Sequence, residues 1–299
     1  MYKKVIAGAV LGFLLVPAAF YGQSCQSGSP ASQVAQEPAK EPADAPADAS
    51  AKEPANAPAN QPASPVDTVL EGLQKKAAEL KSYECNVDYV VRQPLLESQT
   101  RRTGVLYYAR FDQRSYLRID FRTFQQDQEK EQPYREQFIF DGVWLQRIDY
   151  QTQSIERRQI TEPNKPVDAF ALVSRQVPVF GFAKIEDLRK QFDIDLVSDE
   201  QPQPVPPHHL HLKTKPDSTY KEDYSTIDFW VDKTLGLPTK ITAVGAEADV
   251  GDVYDIKLLQ PKVNQAIDKS VFQVNPPAGF SIETIPLEKD QKAPERPLR

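Results

Sequence analysis

The chain has 299 residues, with 36 Lys and Arg against 42 Asp and Glu, a net charge of −6. Nearly balanced charge argues against a nucleic-acid partner, because duplex binding is driven by a basic footprint that releases phosphate counterions. Two cysteines, Cys25 and Cys85, are too few for a disulfide framework.

Lys3 and Lys4 precede an apolar run from Val5 to Gly22, followed by Gln23, Ser24 and Cys25. A basic head, an apolar core and small residues at its end predict a secretory signal peptide over residues 1–25. The alternative is a membrane-spanning helix, but Pro17 interrupts a run near the lower length limit for a span. Cys25 closes the segment as the lipid-modified cysteine of a bacterial lipoprotein does. Ser24 fits that pattern, whereas Gly22 and Gln23 depart from it. Three outcomes stand: lipidation at Cys25, ordinary cleavage, or a retained anchor. Lipidation is the reading adopted, placing the protein in the periplasm or cell envelope on a membrane anchor.

Residues 26–64 repeat a four-residue unit: Glu37-Pro38-Ala39-Lys40, Glu41-Pro42-Ala43-Asp44, Ala45-Pro46-Ala47-Asp48, Glu53-Pro54-Ala55-Asn56 and Ala57-Pro58-Ala59-Asn60. Proline at every fourth position blocks helix continuation, and no large apolar side chain offsets the entropy of ordering. A disordered tether is predicted, with a folded domain over 65–286 and a disordered tail over 287–299.

Ser64 reads as a helix cap, with Pro65 at the first helical position and Asp67 at the positive end of the dipole. Val66, Val69, Leu70, Leu73, Ala77 and Leu80 then share one face of a helix running to about Ser82. Beyond it the period changes from 3.6 to 2. Cys85, Val87, Tyr89 and Val91 alternate with polar neighbours, as do Leu117, Ile119 and Phe121, then Ile227, Phe229 and Val231, then Ile256 and Leu258. Such alternation marks strands with one dry and one wet face, the habit of antiparallel sheets. Further strands are predicted near 101–110, 135–141, 143–149, 154–160, 193–198, 208–214, 237–244 and 271–274. Asp141-Gly142 and Thr234-Leu235-Gly236 signal hairpins. Between the strand groups lie an irregular apolar stretch, Pro166–Gly181, and a short amphipathic helix, Lys184–Phe192. The fold class is mainly β (α+β): a strongly curved antiparallel sheet or incomplete β-barrel of about 10–11 strands, with helices covering the concave face.

Three segments carry a resemblance. Phe140-Asp141-Gly142-Val143-Trp144-Leu145 with Tyr150–Ile155, then Phe229–Pro238, then Phe272–Phe280, resemble in order the hairpins and closing segment of the LolA family of outer-membrane lipoprotein carriers. The resemblance spans about Val66 to Thr284. It implies an incomplete barrel enclosing an apolar cavity for acyl chains, in a family that includes soluble carriers, a lipid-anchored receptor and stress-sensing regulators. The tether and Cys25 look more like the anchored receptor.

On that reading Tyr89, Phe121, Phe138, Phe140 and Phe229 line a lipid-binding cavity, and Val177, Val179, Phe180 and Phe182 form an apolar cover. The bland alternative is that they pack an ordinary core. The implied partners are acyl chains of lipids or lipoproteins, a membrane through the anchor, and an inner- or outer-membrane lipoprotein-sorting partner. A lipid-sensing regulatory domain of an envelope stress pathway and a structural envelope lipoprotein are the competing functions. His208-His209-Leu210-His211 holds all three histidines. Without a carboxylate or cysteine partner evident in sequence, it reads as a solvated strand start rather than a metal site. Cys85 reads as an inert buried thiol. No G-x-S-x-G elbow, H-E-x-x-H, P-loop or dinucleotide fingerprint occurs, so neither an enzyme nor a cofactor is predicted.

Overall fold

The computed structural model describes residues 64–112, 114–169, 185–197, 206–247, 250–275 and 278–287. The predicted signal segment with Cys25, the predicted tether up to residue 63, residues 177–182 and the predicted tail from 288 lie outside the described residues.

Helix α1 (Pro65–Glu79) begins as its sequence dictates, with the Ser64 hydroxyl accepting from the Asp67 N–H at 3.2 Å. Val69, Leu70, Leu73 and Ala77 are buried along one face, and Leu80 closes the helix in extended conformation. The helix therefore stops short of Ser82.

The strands are β1 (Ser82–Gln93), β2 (Ser98–Phe111), β3 (Arg114–Gln126), β4 (Gln132–Phe140), β5 (Trp144–Asp149), β6 (Ser154–Gln159), β7 (Phe192–Val197), β8 (His208–Thr214), β9 (Tyr224–Val231), β10 (Pro238–Gly245), β11 (Val253–Val263) and β12 (Ser281–Ile285). Helix α2 (Ile185–Gln191) precedes β7. Together the strands make one 12-stranded sheet in the order β12-β6-β5-β4-β3-β2-β1-β11-β10-β9-β8-β7, not closed into a barrel. It is two meanders, β1–β6 and β7–β11, joined along one seam where β1 pairs antiparallel with β11. A sheet this wide curls. Register shifts in the β1–β11, β2–β3, β3–β4 and β9–β10 pairs mark where it bends.

Both hairpin signals hold. The Asp141 carboxylate accepts from the N–H groups of Val143 and Trp144 at 3.0 and 2.7 Å, with Gly142 at φ +92°. Asp232 accepts from Thr234 and Leu235 at 2.8 and 2.7 Å, with Gly236 at φ +64°. An Asx turn followed by a left-handed glycine reverses the chain with its amides satisfied.

The strand expected near 271–274 is absent. Lys269–Phe272 forms a 3₁₀ turn capped by Asp268, and the closing strand is β12, paired parallel with β6. The segment between β11 and β12 crosses the outer face of the sheet. Phe272 packs against Phe111 and Tyr116 there, and Val274 and Phe280 lie against Ile139, Ile148 and Ile155. This second, smaller apolar cluster explains why β4 is buried on both faces. Alternation alone could not reveal it, because the covering residues come from an irregular segment.

Candidate functional site: the concave face of the sheet

The dry face of the sheet and the buried face of α1 form one hydrophobic cluster. Tyr89, Phe121, Phe138, Phe140 and Phe229 all belong to it and are all buried. Tyr89 and Phe121 lie 6.1 Å apart between ring centroids, and Phe121 meets Phe138 edge to face at 6.2 Å. Register extends this into a continuous row. From β7 to β3 the paired residues run Leu196, Leu210, Phe229, Ile241, Ile256, Tyr89, Arg102 and Phe124. A single cation interrupts an otherwise apolar and aromatic line.

Arg102 is one member of a polar group built into this face. Glu136, 1 % exposed, accepts from Arg147 Nε at 2.7 Å and from the Tyr134 hydroxyl at 3.0 Å. The Arg102 guanidinium stands farther off, 3.8 Å from the same carboxylate, over the rings of Phe124 and Tyr134. Burial, and then the Glu136 charge, push the Tyr134 phenol well above its usual range. Asp149 lies 3.9 Å from Arg147. Sequence reasoning did not select these residues. The signal was present: Glu136 has the same strand parity as Phe138 and Phe140, and that parity faces inward.

Cys85 is buried on this face at 1 % exposure, its thiol pushed up to about 12 by desolvation. It is an inert thiol of the core. His209 and His211 do share a face, and the carboxylate missing from the sequence reading is Asp228 of β9. Its Oδ1 lies 2.8 Å from His209 Nε2 and 2.8 Å from His211 Nδ1. His209 also stacks on Trp230 at 4.4 Å, so this is a packed hydrogen-bonded group rather than a solvated strand start. Among the described residues no cluster of three His, Cys, Asp or Glu side chains is arranged to hold a metal. On the outer face, Arg118, Asp120, Arg122, Arg135, Gln137 and Gln151 line an open cavity of about 500 Å³.

The helices bear on the inner face. The Lys76 stem of α1 packs over the β9–β10 turn, where a Cβ on Gly236 would come within 2.8 Å of it. Arg189 of α2 pairs with Asp67 of α1. The remaining predicted cover residues, Val177, Val179, Phe180 and Phe182, fall outside the described residues.

The fold and this face define a class: an open, curved, mostly antiparallel sheet with one aromatic inner face overlaid by helices. No family model matches the chain, and no curated protein matches it in sequence. Among solved structures it is similar to an uncharacterized conserved protein from Thermus thermophilus (10% identity, TM-score 0.44, covering 73% of this chain and 97% of that one). It is similar to MucB at 13% identity and TM-score 0.45, over 72% of this chain and 64% of that one. It is also similar to a LolA superfamily protein from Nitrosomonas europaea, at 12% identity and TM-score 0.29, over 69% of this chain and 97% of that one.

Proposed function

We propose that the protein is an exported, non-catalytic envelope protein that binds acyl chains of lipids or lipoproteins against the concave face, as a carrier or receptor. The observation that carries this reading is the row of aromatic and aliphatic side chains across the inner face, from Leu196 to Phe124. Each methylene moved from water into such a site contributes about 0.8 kcal/mol, so a chain with ten buried carbons retains several kcal/mol after the costs of association. Tyr89, Phe121, Phe138, Phe140 and Phe229 are the proposed wall, and Val177, Val179, Phe180 and Phe182 the proposed cover. A lipid-anchored Cys25 and the Pro/Ala-rich tether would hold this domain away from a membrane surface.

The test is native mass spectrometry of the purified full chain with organic extraction, followed by titration with a fluorescent fatty acid. Co-purifying lipid and saturable binding are expected. A well-folded protein that binds no fatty acid, phospholipid or lipopeptide rejects the reading. Anchoring is checked separately by labelling cells with an acyl-chain precursor. The wild type is expected to carry label in the membrane fraction, and Cys25→Ser to lose both label and membrane association; equal labelling of the two overturns it.

A further inference from the structure

Arg102 is 6 % exposed, yet its guanidinium makes no hydrogen bond among the described residues, and its Nε is a fully buried donor without an acceptor. The nearest carboxylate, Glu136, is already bonded by Arg147 and Tyr134, and stands 3.8 Å from Arg102. Directly across the β1–β2 ladder, on the same face, is Tyr89, 4 % exposed, whose hydroxyl is also buried without a partner. Two unsatisfied donors on paired residues, one of them cationic, are costly in a low-dielectric interior. They interrupt an apolar row at one point, beside Phe121. Chemistry that would relieve both at once is an anion with at least two acceptor oxygens.

We propose that Arg102 and Tyr89 hold the anionic end of an acyl ligand, a carboxylate or a phosphate, whose chain lies along the aromatic row of the concave face. This rests on the acyl-binding reading and adds the polarity and position of the ligand's head. Burial drives the Tyr89 phenol well above its usual range, so the group remains a donor at any physiological pH. The acidic groups that also face Tyr89 are Glu136 and Asp252. Glu136 is neutralised by Arg147, and Asp252 is engaged by Gln93 and Tyr254 at 3.3 and 3.4 Å. Arg102 lies 3.8 Å from a Glu136 carboxylate already bonded by Arg147 and Tyr134, so its buried Nε donor stays unengaged and open to an incoming anion.

Tyr89→Phe is the discriminating variant. The hydroxyl bonds nothing among the described residues, so removing it breaks no described contact and the melting temperature should hold. The full chain, wild type and variant, is titrated with a fluorescent polyene fatty acid and with its methyl ester. A second pair of competitors, lysophosphatidate and monoacylglycerol, separates a phosphate head from a carboxylate. The wild type is expected to favour the charged member of at least one pair by about tenfold, the value of a hydrogen bond to a charged group. Tyr89→Phe should remove most of that preference, and Arg102→Lys, which keeps the charge but loses Nε, should reduce it. Equal affinity for charged and neutral members, or a preference untouched by Tyr89→Phe, overturns the inference while leaving acyl binding intact. Failure of all four ligands to bind rejects the acyl reading and this inference with it.

Discussion

Cys85 shows how a single side chain on the inner face reports on its surroundings. Only the thiolate reacts with alkylating reagents, and desolvation holds this thiol at about 12. At pH 8 the folded protein should therefore expose no reactivity at Cys85, and unfolding in denaturant should release one additional thiol per chain. A thiol assay with and without urea checks this; full reaction in the native state would mean that the face is open to water around Cys85. That residue was legible from its place in the alternation of Val87, Tyr89 and Val91. Arg102 and Glu136 were equally placed by parity, but their charge argued for the wet face, and only the register with Tyr89 and Phe121 shows otherwise. Asp228 was unreadable as a histidine partner because it arrives from the neighbouring strand, 17 residues beyond His211.

Among the elements, β2 carries the sharpest constraint. Gly104 lies at a register shift against β3, where a Cβ would stand 2.0 Å from the Asp120 carbonyl oxygen. Nothing flexible can move aside, because the obstacle is backbone. Gly104→Ala should therefore destabilise the protein by roughly 1–3 kcal/mol through forced separation of two central strands. Urea unfolding measures it, and an unchanged midpoint would show that the bend can relax. Helix α1 and the strands with one dry face were legible in their periods, as were the hairpins in Asp141-Gly142 and Thr234-Leu235-Gly236, although the Asp232 side chain that caps the second turn was not singled out. The parallel strand β12 was not. Its residues Ser281–Thr284 are exposed and lack a dry face, so the pairing with β6 leaves no pattern in the sequence.

At the scale of the whole molecule, nearly every strand finds its neighbour within a short stretch of chain, except along the β1–β11 seam and where β12 returns to pair with β6. Along the seam Val87 faces Leu258 and Tyr89 faces Ile256, partners separated by most of the domain. Closing such a loop costs chain entropy before any contact rewards it. Each meander can gather by local hairpins, but the sheet becomes one body only when the first strand of one arm meets the last strand of the other. The seam is thus a timing device as well as a joint. Its contacts should be late in folding, with Leu258→Ala costing about 2–5 kcal/mol and acting chiefly by accelerating unfolding. Ile119→Ala, inside the first meander, should slow folding instead. Stopped-flow chevrons of the two variants decide the matter, and a Leu258→Ala protein that folds more slowly without unfolding faster would place the seam at the start. Under the export proposed above, with the amino terminus crossing first, this order would leave β1 with an unpaired edge until the last meander has emerged.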